Sequence, residues 1–181
     1  MSKRRAVAAV ALAATCAGAI APVGGPARAV QERTVPCDDI IDQTRWPYVG
    51  ARKGEERYRI VLGVVAAPPA YMSQVVPTRE RPWPYWHKQG LVVRGGAPPV
   101  TLVVPRRWRR RVAIVWGNSG PPASFLRLAD CDGPRDTGNA YSGGFYLRAP
   151  SACVPLLVRV AKRTATVRFG LGRHCGRNRS G

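Results

Sequence analysis

Acidic side chains and histidines are scarce in this chain. Ten Asp and Glu and two His stand against 29 Lys and Arg in 181 residues. A Ser-His-Asp triad needs a histidine base oriented by a carboxylate, and only His87 and His174 offer one. Long apolar runs are missing too. Residues 6–20, AVAAVALAATCAGAI, fall short of the roughly 20 residues that a membrane-spanning helix needs. No later segment is apolar enough to span. The absence of a C-x-x-C pair argues against a zinc or thioredoxin-like site. No window sustains helical periodicity for three turns, and there is no internal repeat. Nothing in the sequence calls for a cofactor or a metal.

What is present begins with an export signal. Lys3, Arg4 and Arg5 precede the apolar run at 6–20, and Pro22, Gly24, Gly25 and Pro26 then break it. Ala27-Arg28-Ala29 places small residues where a signal peptidase reads, so cleavage is expected after Ala29. Two variants are weaker. Arg4-Arg5 lacks the usual hydrophobic continuation of a twin-arginine signal, and Thr15 is a poor residue before a lipoprotein Cys16. The expected location is extracellular or the cell envelope.

All ten acidic residues lie after position 29, so losing the leader lowers the net charge only from +19 to +15. Arginine dominates the basic set. That composition fits coding bias in a GC-rich genome, and it also fits attraction to polyanions. Four cysteines remain after the leader: Cys37, Cys131, Cys153 and Cys175. An even number in an oxidising compartment points to two disulfides.

Residues 30–56 read as an N-terminal extension, 57–175 as the β domain and 176–181 as a flexible tail. In the β domain, Tyr58, Ile60, Leu62 and Val64 alternate with Arg57, Arg59, Val61 and Gly63, a period of two. Further short strands are expected at 91–94, 100–104, 111–116, 124–129, 143–148, 154–161 and 164–171, with Pro or Gly punctuation between most of them. About eight short strands favour an all-β antiparallel sandwich, Ig-like, or a partly open barrel. If Lys162-Arg163 closes the last hairpin, Leu156 faces Phe169 and Val158 faces Val167 on one apolar face. Cys153 then lies opposite Gly172 and points away from Cys175. That register favours Cys131–Cys153 and Cys37–Cys175.

The segments KQGLVVRGG, TLVVPRRWRRRVAIVWGN, SFLRLADC and YSGGFYLRAPSACVPLLVRVAKRTATVRFGLGRHC resemble uncharacterised exported proteins of high-GC Gram-positive bacteria. The resemblance covers about residues 57–175. It implies a secreted β-rich domain with paired cysteines and carries no activity.

Four segments are candidates for chemistry. Tyr141-Ser142-Gly143-Gly144 has the S-G-G of a serine nucleophile, but Ala140 stands where an Asp is expected, and a strand bulge explains the glycines better. Asp130, Asp132, Gly133, Asp136 and Asn139 resemble a short calcium loop without its bidentate Glu. In PRRWRRR, Arg106, Arg107, Arg109, Arg110 and Arg111 surround Trp108, a density suited to forked contacts with phosphate or carboxylate oxygens. The plainer reading is a solvated loop with Trp108 folded back onto the core. In RPWPYWHKQG, Trp83, Tyr85 and Trp86 form, with Trp108, a possible aromatic platform, or they cover one end of the sandwich.

The sequence therefore suggests a non-enzymatic secreted domain that binds anionic cell-envelope polymers, lipid headgroups or extracellular nucleic acid. The rivals are an aromatic platform for a neutral glycan and a hydrolase with an unrecognised site.

Overall fold

The computed structural model describes residues 32–49, 57–118 and 120–176. The export signal, Cys16 and the cleavage site lie outside them, as does the tail beyond Gly176. The described chain is all-β. Its strands are β1 (Glu32–Val35), β2 (Asp42–Arg45), β3 (Arg59–Val61), β4 (Val65–Ala67), β5 (Tyr71–Met72), β6 (Val76–Pro77), β7 (Tyr85–Lys88) and β8 (Leu91–Arg94). There follow β9 (Val100–Val103), β10 (Val112–Trp116), β11 (Phe125–Leu128), β12 (Thr137–Tyr141), β13 (Gly143–Leu147), β14 (Ala152–Val160) and β15 (Arg163–Leu171). No helix among the described residues is long and apolar enough to cross a membrane.

One layer is a six-stranded sheet in the order β1-β11-β9-β14-β15-β5. The other is made of a four-stranded sheet, β10-β13-β7-β6, and a five-stranded sheet, β2-β12-β8-β4-β3. The chain passes between these two at residues 89–90, joining β7 to β8, and at Ser142, joining β12 to β13. Val, Leu and Phe side chains from all three sheets share one buried cluster. Within it Trp116 meets Phe145 edge-on at 5.3 Å, and Phe145 meets Phe169 at 5.1 Å, linking the four-stranded to the six-stranded sheet. Each fully buried Leu or Phe contributes roughly 1.5–3 kcal/mol. A β-sandwich describes the arrangement.

Among the described residues fifteen strands replace the expected eight, and three local differences have physical reasons. First, the alternating stretch at 57–64 is not one strand. It turns at Leu62 and Gly63, which have φ of 53° and 74°, and Val64 N–H donates to Val61 O at 3.1 Å. Val61 then pairs with Val65. Second, the segment read as an N-terminal extension enters the sheets. β1 runs parallel to β11, with the buried Val35 opposite Leu128, and β2 pairs antiparallel with β12. Third, the last hairpin turns at Ala161-Lys162, with Ala161 at φ 49°. Leu156 faces Val167, and Val154 faces Phe169. The register slips by two residues, so the apolar face is kept.

The slipped register corrects the disulfides. Cys153 lies opposite Gly170, not Gly172. Beyond β15 the chain bends at Gly172, φ 64°, and folds back over Gly170, where an added Cβ would collide with Arg173 O and stand 3.1 Å from Cys175 N. Cys175 thereby reaches Cys153, with Cα atoms 5.2 Å apart, and forms the bond that regular strands would forbid. Parallel β1 and β11 end abreast, which brings Cys37 and Cys131 within a Cα separation of 5.6 Å in the second bond. All four cysteines are paired, but neither preferred pairing forms.

Candidate anion-binding and aromatic face

The arginine segment connects β9 in one layer to β10 in the other. After Pro105 it makes a 3-10 turn over Arg106–Trp108, and Arg111 N–H donates to Trp108 O at 2.7 Å. Trp108 is half-buried and packs against the core, with the Arg111 guanidinium 5.8 Å from its ring. Arg109 turns inward, donating from Nε to Val104 O at 3.2 Å. Arg106, Arg107, Arg110 and Arg111 are exposed. Four charges therefore face solvent from one short loop anchored by a ring and a backbone bond.

The aromatic segment builds β7, whose residues alternate faces. Tyr85 packs toward the core, and His87 is buried. Trp86 belongs to the opposite, outer row. Register places Val76, Trp86, Tyr146 and Ala113 side by side across the four-stranded sheet. Trp86 and Tyr146 rings stand 4.4 Å apart. Just past the end of β13, two residues from Tyr146, Arg148 is exposed, and its guanidinium lies 5.5 Å from the Trp83 ring centre. Arg148 N–H donates to Arg111 O at 3.0 Å, so the last arginine of the loop abuts the aromatic row. The exposed Lys88 adds another positive charge on the same side of β7 as Trp86.

The two sequence candidates are thus joined by the backbone bond between Arg148 and Arg111. Trp83 and Trp86 lie on the outer side with Arg148, the Arg111 guanidinium rests near Trp108, and Tyr85 and Trp108 pack against the core. Tyr146 and Arg148 were missed. Burial, and secondarily the Glu80 charge, raise the Tyr146 phenol above its ordinary range, so it stays a neutral hydrogen-bonding group near neutral pH.

The remaining candidates are kept apart. His87 Nδ1 is bonded to Gln74 O, and its Nε2 is buried with no partner among the described residues. Ser142 is at the sheet crossing, where its carbonyl accepts from Gly117 N–H at 2.9 Å. His174 stacks on Tyr71 at 3.8 Å. Asn139 is buried in β12 and accepts from Gln43 Nε2 at 3.3 Å. Among the described residues no three His, Cys, Asp or Glu gather as a metal site.

A buried polar cluster sits under the first disulfide. Asp39 and Tyr141 are both buried. The Tyr141 hydroxyl faces Cys131 Sγ at 3.6 Å, and because a disulfide sulfur has no hydrogen the phenol is the donor. Burial first, then the Asp39 charge, pushes the Tyr141 pKa up to about 12. Burial lowers that of Arg33, against the opposing pull of Asp39; its Nη2 donates to Trp116 O at 2.7 Å. Below pH 10 the Tyr141 phenol is protonated in both folded and unfolded chains and adds no pH dependence. Between 10 and about 12 only the unfolded chain ionises, so stability falls as pH rises through that window. Tyr141→Phe is expected to flatten that part of a denaturation series and to remove one late-titrating tyrosine from a phenolate absorbance titration. An unchanged alkaline slope would contradict the assignment.

Comparison with family models, curated proteins and solved structures finds no match to the chain.

Proposed function

We propose that the protein is a secreted, non-enzymatic binding module for an anionic, sugar-bearing polymer of the cell envelope. The observation that carries this reading is the contact between two features, the Arg106–Arg111 loop and the Trp83–Trp86–Tyr146 row, through Arg111 and Arg148. Guanidiniums fork onto phosphate or carboxylate oxygens, and flat rings pack on the C–H faces of sugars. A polymer carrying both groups uses the whole face, whereas a neutral glycan uses only the rings. The two disulfides and the leader-like residues 1–29 suit an exported protein.

The test is binding to a sugar-phosphate polymer and to an uncharged glucan at two salt concentrations. Serine at Arg106, Arg107, Arg109, Arg110 and Arg111 should weaken polymer binding roughly a hundredfold or more, and the salt slope should fall by about 3. Trp86→Ala should weaken it as well, without changing that slope. Equal affinity of wild type and the five-serine variant, or no loss with added salt, would overturn the reading. Tighter binding to the uncharged glucan would favour the neutral-ligand alternative, and tighter binding to anionic vesicles or DNA would move the partner class.

A further inference from the structure

The outer face of the six-stranded sheet carries a separate basic cavity. Register aligns Arg127 of β11, Thr101 of β9 and Arg159 of β14 in one row. These three residues, with Phe125, Pro98 and Pro99, line a depression of about 400 Å³. That is the size range of small-ligand sites. Both arginines are exposed, and among the described residues neither guanidinium has a hydrogen-bond or ion-pair partner. Glu32 lies opposite Phe125 on the edge strand, outside the cavity lining.

We propose that this cavity binds a phosphate monoester, with the phosphate between Arg127 and Arg159 and its organic part on Phe125 and the prolines. Adjacent strands are about 4.8 Å apart, so the two arginine backbones stand roughly 10 Å apart with Thr101 between them. Two long side chains converge easily over that span. A carboxylate's acceptor sites lie in one plane, which suits one guanidinium fork best. A terminal phosphate offers three oxygens, enough for both forks and the Thr101 hydroxyl. Phe125 and the Pro98-Pro99 wall supply an apolar surface on which one sugar ring fits. The site lies in the other layer from the Arg111–Trp86 face, and its ligand is a small molecule, so it stands independently of the polymer reading.

The test is calorimetric titration of the oxidised protein with glucose 6-phosphate, inorganic phosphate and glucose. Glucose 6-phosphate should bind, inorganic phosphate more weakly, and glucose not at all. Arg127→Ser and Arg159→Ser should each weaken glucose 6-phosphate roughly tenfold to a hundredfold. Arg127→Lys, which keeps the charge and loses the fork, should fall between wild type and Arg127→Ser. The five-serine loop variant should bind glucose 6-phosphate as wild type does, so failure of the polymer reading leaves this result untouched. Unchanged binding in both Arg→Ser variants, loss in the five-serine variant, or no binding of any phosphate by wild type would overturn the proposal. Both substitutions are at exposed positions, and matching thermal melts establish that each variant is folded.

Discussion

Serine at both Cys37 and Cys131 is expected to lower unfolding free energy by roughly 4–5 kcal/mol, against about 3 kcal/mol for serine at both Cys153 and Cys175. The difference follows from loop size. The first bond joins residues 94 apart and the second residues 22 apart, and a cross-link restricts the unfolded chain more when it closes a longer loop. The native state adds to this. β1 is four residues long and is the edge strand of its sheet, held by β11 alone on one side. Without the bond to Cys131 it is free to fray, uncovering the side of Leu128 and Leu126 that Val35 and Arg33 now line. Guanidinium denaturation of both double-serine variants measures the effect. The Cys37/Cys131 variant should have the lower midpoint. Equal losses, or a larger loss at Cys153/Cys175, would refute the ordering.

The strands that were legible in the sequence are those whose apolar runs exceed their turns. VTLV, VAIVW and the long segments forming β14 and β15 announce themselves by Val and Leu between Pro and Gly. ERTV and DQTR give no such signal, since at the sheet edges one buried residue, Val35, suffices for β1, and β2 buries none. TGNAY hides β12 for another reason. An added Cβ at Gly138 would stand 2.6 Å from a Val92 methyl, so the residue that looks like a loop marker sits at a closely packed strand position. The disulfides were misread through a two-residue slip, which leaves face periodicity intact and therefore has no signature in the apolar pattern. The arginine loop was legible from charge density alone. Tyr146 and Arg148 belong to the same alternation as the core residues Phe145 and Leu147, but their link to Trp86 depends on the pairing of β13 with β7, 56–62 residues distant in sequence by their register.

Gly144→Ala is expected to cost roughly 3–5 kcal/mol, although it adds a single methyl group. Gly144 has φ of 151°, a backbone conformation that a side chain disfavours. An added Cβ would overlap His87 O and stand 3.1 Å from Gln89 N. Those are backbone atoms of β7 and of the residue that follows it, so no rotamer change makes room. The β7–β13 ladder must open, and the buried ring of Phe145, paired with His87, must move with it. Strain at the new residue costs on the order of 1–3 kcal/mol, and each ladder bond lost adds about 1 kcal/mol. Gly63→Ala isolates the conformational part. Gly63 also has positive φ, 74°, but nothing lies within 4 Å of its added Cβ. Its substitution should cost only about 1–2 kcal/mol. Urea denaturation of the two variants separates the explanations. If they lose the same stability, backbone conformation alone accounts for Gly144 and close strand approach does not. If Gly144→Ala loses more, the Gly143-Gly144 pair in YSGGFYLR is explained by strand packing, and the S-G-G pattern there has no need of a catalytic serine.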